Sequence, residues 1–154
     1  KDPKALSIGQ EDIIHEKWTR ANYLVGAKEY ERLEKAKKID AKAAVYATSW
    51  GLFQILGENL EHNIKSRKYQ NFEAFETSQH ESEYFHFLDF LAFIKTKKVR
   101  GKTLIHYISE GNDGHYDWES FAYGYNGSGY KVNAYHTKMK HYYEKFKNEQ
   151  TWTA

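Results

Sequence analysis

The apolar positions of the chain recur with helical rather than strand spacing over most of its length. From Lys28, the residues Tyr30, Leu33 and Ala36 form one stripe flanked by charges. Ile39-Asp40 interrupts that run, and Asp40 has the chemistry of an N-cap for a second helix through Ala43, Ala44 and Ala47. Thr48-Ser49 ends that helix or opens the next, which is expected to carry Leu52, Phe53, Ile55 and Leu56 and to stop near Gly57. Glu58 to Gln70 is polar and reads as a connection with a short helical piece. Before Lys28 the pattern is weak. Ser7 and Gln10 have the spacing of a capping box, interrupted by Gly9, and Ile13, Ile14 and Trp18 are expected to pack on the body.

Asn71 is the expected N-cap of a helix opening Phe72-Glu73-Ala74-Phe75. The strongest periodicity follows, from Ser82 to Lys95, where Tyr84, Phe87, Leu88, Leu91 and Ile94 keep helical spacing. Phe85, Phe90 and Phe93 widen its apolar face beyond one stripe, and a helix apolar on most sides is a buried one, so 82–95 is expected to be the central helix. The basic run Lys95 to Lys102, with Gly101, reads as a helix C-terminus and a solvated turn. A short helix from about Lys102 to Glu110 uses Leu104, Ile105 and Ile108; Gly111-Asn112-Asp113-Gly114 is a loop by composition. Asp117 then caps Trp118, Phe121, Ala122 and Tyr125, and the last helix carries Val132, Tyr135, Met139, Tyr142, Tyr143 and Phe146. Neither strand alternation nor an internal repeat is legible. The expected class is all-α, in a single domain over 1–154 with loose termini at 1–10 and 148–154.

Composition removes several alternatives. A chain of 154 residues is long enough for a real core, and 17% aromatic residues suit a packed globule or a groove that stacks flat ligands. The absence of Cys removes disulfides, thiolate chemistry and Cys-ligated zinc. No apolar run of the roughly 18 residues that a membrane span needs is present, and no signal-peptide pattern is legible. The net charge of +2 is too small to argue for nucleic acid. The 8 His residues, His62, His80, His86 and His106 among them, form no zinc-protease spacing, and His141 reads as a surface residue. Ser49 beside Trp50-Gly51 is not a serine-hydrolase elbow, and no phosphate loop exists. No metal site is therefore expected, and the chain is expected to be a monomer.

Two stretches carry candidate chemistry. In Ser49-Trp50-Gly51-Leu52-Phe53-Gln54-Ile55-Leu56-Gly57, Gln54 is an amide in an apolar run. Burying it unpaired costs about 1–3 kcal/mol. Either a backbone neighbour satisfies it, or it faces a cleft and meets a ligand. In Phe121-Ala122-Tyr123-Gly124-Tyr125-Asn126-Gly127-Ser128-Gly129-Tyr130, a helix ends in a glycine-rich turn where Gly127 and Gly129 permit positive φ. Tyr125, Asn126 and Tyr130 offer hydroxyl, amide and stacking faces of the kind that hold a sugar ring. The alternative is a C-capping turn with a structural asparagine.

Taken together, these two segments resemble the phage-endolysin type of N-acetylmuramidase domain, within the lysozyme-like group that includes goose-type lysozymes and lytic transglycosylases. In that group a Gly-Leu-Met-Gln-Ile segment and an Ala-Tyr-Asn-Ala-Gly segment border the sugar cleft. Glu11-Asp12-Ile13-Ile14, Lys17-Trp18-Thr19-Arg20, Glu29 to Ala36, Ala43-Ala44, Glu58-Asn59 and Leu91-Ala92-Phe93-Ile94 also resemble the family pattern, so that the likeness covers most of 11–147. The resemblance implies a peptidoglycan hydrolase acting between N-acetylmuramic acid and N-acetylglucosamine, without a cofactor, on glycan strands of the bacterial cell wall in the periplasm or outside the cell. It also implies that Ser49 and Gln54 line one wall of the groove and Tyr125, Asn126 and Tyr130 the other.

One family feature is missing. The family's general acid is a glutamate in an acid-Ser pair on an early helix, followed by a Phe-Glu-x-His segment, and neither is visible before Lys17. Both are expected to lie upstream of Lys1. Within the chain, Glu16 is the one early glutamate in a mixed apolar and aromatic setting, between His15 and Trp18, and is the internal candidate for a proton donor. A glycosidase acid needs a raised pKa, and the other carboxylates lie mostly on charged helix faces where little raises it. Three readings follow: a muramidase, a glycan-binding module without catalysis (or a lytic transglycosylase), and a structural domain whose cleft is a relic.

Overall fold

The computed structural model describes residues 3–15, 17, 19–59, 67–109 and 115–149. The order is α1 (Pro3–Ser7), α2 (Lys28–Tyr46), a hairpin of β1 (Ser49–Trp50) and β2 (Ile55–Leu56), a 3-10 turn (Gly57–Asn59), α3 (Phe72–Glu81) and α4 (Glu83–Thr96). A second hairpin, β3 (Lys98–Val99) with β4 (Lys102–Thr103), leads into α5 (Leu104–Tyr107), α6 (Trp118–Asn126), a 3-10 turn (Ser128–Lys131) and α7 (Tyr135–Glu149). Helices dominate and each strand is two residues long, so the class is all-α. Glu16, Trp18, the expected loop at 111–114 and the tail at 151–154 lie outside the described residues.

Capping chemistry places the helix boundaries where the sequence expects them. Asp40 leaves helical geometry (φ −159, ψ 103) in the middle of α2 and accepts the Ala43 amide at 3.0 Å, so the two halves of α2 meet at a kink. Asn71 accepts the Ala74 amide at 2.9 Å, and Asp117 accepts the Ser120 amide at 2.8 Å. The Ser7–Gln10 expectation is corrected. Ser7 ends α1 instead of starting a helix, and its hydroxyl donates to the Lys4 carbonyl at 2.9 Å. Gly9, at φ +75, turns the chain out of the helix in the manner of a C-cap.

The expected helix over 52–57 is also corrected, because that stretch is a β-hairpin. Ser49 pairs with Leu56 and Trp50 with Ile55. Trp50 and Ile55 point inward while Ser49 and Leu56 face outward, and Gly51 (φ +65) and Gln54 (φ +49) make the turn between them. Two residues with positive φ are incompatible with a helix but suit a tight reversal. The basic run after α4 closes in the same way, with Arg100 (φ +50) and Gly101 (φ +80) forming a two-residue turn.

Among the described residues, two apolar clusters make the core. One gathers Leu33, Ala44, Val45, Trp50 and Phe75; the other gathers Ile55, Phe93, Ile94, Leu104, Tyr107 and Phe121. The first hairpin belongs to both, through Trp50 on one strand and Ile55 on the other. It is pressed against α2. The Trp50 indole donates to the Val45 carbonyl at 2.9 Å, and a Cβ at Gly57 would lie 2.3 Å from the Tyr46 Cα.

The central helix is exposed near its start and buried from its middle onward at three positions. Phe93 and Ile94 are buried, whereas Tyr84 and Phe87 near its start are exposed. The third buried residue of α4 is Asp89, at 1% exposure, which no apolar pattern predicts. It accepts from Gln79 (2.6 Å) in α3, from the Tyr69 hydroxyl (3.1 Å) and from Arg67 (3.2 Å). Burial raises its carboxyl above the usual carboxylate range, while the donors of Gln79, Tyr69 and Arg67 pull the other way. The stripe expected in the last helix also divides. Met139 packs on the second cluster and the Tyr143 hydroxyl donates to that of Tyr116 at 2.9 Å, whereas Val132, Tyr142 and Phe146 are exposed.

Asp89→Ala leaves Arg67, Gln79 and Tyr69 without their shared acceptor. It is expected to cost about 3 kcal/mol or more of stability, read by denaturant unfolding, and an unchanged midpoint contradicts this account.

Candidate functional site

The turn at 51–54 is built by its own backbone. The Gly51 carbonyl accepts the Gln54 amide at 3.2 Å and also the Gln54 side-chain amide at 3.0 Å. Gln54 is therefore an exposed residue in left-handed geometry with its side-chain amide hydrogen bonded locally, and its Oε1 has no hydrogen-bond partner among the described residues. Ser49 is exposed on β1 and Leu52 is 61% exposed at the turn. Phe53 folds inward and stacks on Phe90 of α4, with ring centroids 4.4 Å apart.

The second stretch is the C-terminal end of α6. A side chain at Gly124 would lie 2.3 Å from Leu104 and 2.7 Å from Val99, so the glycine lets α6 approach α5 and the second hairpin. Tyr125 stacks on Phe121 (5.7 Å, 12°) and meets Phe90 and Phe93 edge-on. Gly127 ends the helix at φ +77. Gly129 has no positive φ, so of the two glycines expected to need that freedom only Gly127 uses it.

One hydrogen bond joins the two stretches: the Tyr125 hydroxyl donates to the Phe53 carbonyl. That contact brings residues 72 positions apart together and sets the turn beside the end of α6. Burial raises the Tyr125 hydroxyl well above its usual range, which keeps it a neutral donor. Next to it, Asn126 holds a buried side-chain oxygen with no hydrogen-bond partner among the described residues. A buried acceptor left open is costly.

The five residues expected at the groove thus separate. Ser49 and Gln54 are exposed on the hairpin, and Asn126 is half-buried with an open acceptor. Tyr125 is mostly engaged in holding the hairpin. Tyr130 is buried at 5% exposure, and its hydroxyl donates to Glu119 at 2.6 Å. Glu119 also pairs with Lys131 at 2.9 Å, and these two partners hold its carboxyl down to about 2. A cavity of about 510 Å³ lies elsewhere, between residues 9–13 and α2, with Asp12, Lys35 and Lys38 among its lining; none of the five residues borders it. We place the candidate site at the hairpin and α6, where the chemistry is.

Sequence reasoning missed the support beneath the turn, namely His86, Gln79 and Asp89. The signal for Asp89 was present, since it is the one charged residue in the apolar run from Tyr84 to Ile94. Nothing in the sequence pairs His86 with the turn.

Helical architecture, a short hairpin packed on the central helix and a Tyr-Asn helix end bonded to it define an all-α domain of lysozyme-like type. The family model described as N-acetylmuramidase matches residues 1–147, and the chain belongs to that muramidase family, whose substrate is peptidoglycan. No curated protein and no solved structure matches the chain.

Two outcomes test this geometry. Tyr125→Phe removes the bond to Phe53 and is expected to cost about 1 kcal/mol, measured by denaturant unfolding. Glu119 has a depressed pKa, so its contact with Lys131 and Tyr130 is complete above 4.5 and is lost as pH falls through about 2. An NMR titration is expected to place the Glu119 midpoint near 2, and Lys131→Ala to move it up toward 4.5.

Proposed function

We propose that the domain binds glycan strands of peptidoglycan and hydrolyses the bond between N-acetylmuramic acid and N-acetylglucosamine by general-acid catalysis. The observation that carries this reading is the junction of the two motifs. The Tyr125–Phe53 bond ties the hairpin that exposes Ser49 and Gln54 to the helix end that carries Asn126, whose acceptor is open among the described residues. The Ser49 hydroxyl and the carboxamides of Gln54 and Asn126 match the hydroxyl and N-acetyl groups of an amino sugar. Tyr125 contributes by holding the hairpin to α6, and Tyr130, buried and donating to Glu119, by fixing the segment that follows α6.

The acid must be protonated when the leaving oxygen departs. Glu119, held at about 2, is ionised at any working pH and has no proton to give. Asp89 has a raised pKa, but it is fully buried and occupied by three donors, which makes it a structural acceptor out of reach of a substrate. Glu16 remains the internal candidate for the donor. Because neither of these two described carboxylates suits the task, a second reading stands beside the first: a peptidoglycan-binding domain that does not cut.

Clearing of a suspension of bacterial cell walls, with new reducing ends at N-acetylmuramic acid, is the expected result. Anhydro-sugar ends assign a lytic transglycosylase instead. Sedimentation with walls that stay turbid assigns the binding reading, and neither binding nor clearing removes both. Glu16→Gln abolishes clearing if Glu16 is the donor, and unchanged clearing takes it out of the mechanism.

A further inference from the structure

The turn that carries Gln54 is held from outside at two points. Tyr125 takes the Phe53 carbonyl, and His86 takes the Leu52 amide, which donates to its Nδ1 at 3.3 Å. The other ring nitrogen, Nε2, lies 2.8 Å from the Gln79 carbonyl at the end of α3. A carbonyl only accepts and a backbone amide only donates. Both bonds exist together only when Nε2 carries the proton and Nδ1 is bare, so the contacts select the neutral Nε2–H imidazole.

The ring is also packed against the turn. A Cβ at Gly51 would lie 2.7 Å from the His86 Cγ and 3.1 Å from the Gln79 Oε1, so the glycine is required for this approach as well as for its φ of +65. Gln79 is itself pinned, since its side-chain amide donates to Asp89 at 2.6 Å and to Ser78 at 3.2 Å. A continuous chain of contacts therefore runs from the buried Asp89, through Gln79 and His86, to the Leu52 amide. It ends two residues from Gln54.

We propose that His86 is a positioning residue for the glycan-binding lip: its imidazole hangs the Leu52 amide from the Gln79 carbonyl and so fixes the 51–54 turn that presents Gln54 to the sugar. This deepens the function proposed above and rests on it for the substrate. His86 transfers no proton to substrate and acts through the turn. Losing it releases one side of the turn while Trp50 and Ile55 still anchor the strands, so the fold persists and the lip loosens.

His86→Leu and His86→Gln separate this role from a packing role. A glutamine accepts from Leu52 through Oε1 and donates to the Gln79 carbonyl through Nε2; a leucine fills space and does neither. Leucine is expected to raise KM for soluble peptidoglycan fragments (or Kd, in a domain that binds without cutting) about tenfold, the size of one lost hydrogen bond, with kcat within about twofold. Glutamine is expected to restore most of that loss. Hydrogen exchange of the Leu52 amide gives a readout that needs no substrate: slow in the wild type and His86→Gln, fast in His86→Leu. Equal exchange in all three proteins, or a glutamine variant no better than leucine in both measurements, overturns the positioning role. A wild type that neither binds nor cleaves peptidoglycan, yet shows the exchange pattern, leaves the support of the turn standing and removes the functional reading instead.

Discussion

Everything near the candidate site depends on how closely the first hairpin can sit against α2 and α4. Two glycines set that distance. At Gly57 the Tyr46 backbone occupies the space of a side chain, and at Gly51 the His86 ring occupies it. With the strands that close, Trp50 reaches the cluster under α2 and Ile55 reaches the cluster under α4 and α6. Two strand residues, Trp50 and Ile55, thus link the two apolar cores through one hairpin. The hairpin is short and would be unstable alone; burial of its inward residues supplies what its few ladder bonds do not.

Polar contacts then orient what the apolar ones bring together. Tyr125 spends its hydroxyl on the Phe53 carbonyl, and His86 spends Nδ1 on the Leu52 amide. Between those fixed points the turn exposes Leu52 and Gln54. The same economy explains Asp89. A carboxylate inside an apolar helix is tolerated because Arg67, Tyr69 and Gln79 converge on it, and in return it fixes Gln79 beneath the turn. This arrangement makes the 51–54 turn a supported structure rather than a free loop.

Much of the fold was legible because local chemistry decides it. Asp40, Asn71 and Asp117 cap the helices that their positions announce, since a short polar side chain before a periodic run has few other uses. The failures share one cause. Leu52, Phe53, Ile55 and Leu56 fit a helical stripe as well as a hairpin, and a short apolar run does not tell the two apart. Ser7 and Gln10 fit a helix start, but Gly9 turned the chain out of one.

By itself the sequence determined the all-α class, the helix caps and the two motifs that mark the muramidase family, because each rests on neighbours within a few residues or on a pattern that survives in one dimension. Only the tertiary structure decided that the Gln54 segment is a hairpin, that Tyr125 bonds to it across 72 positions, that Tyr130 turns inward to Glu119, and that His86 lies under the turn. Those outcomes depend on which distant groups share a buried space and must satisfy one another's hydrogen bonds, and no local pattern carries that information.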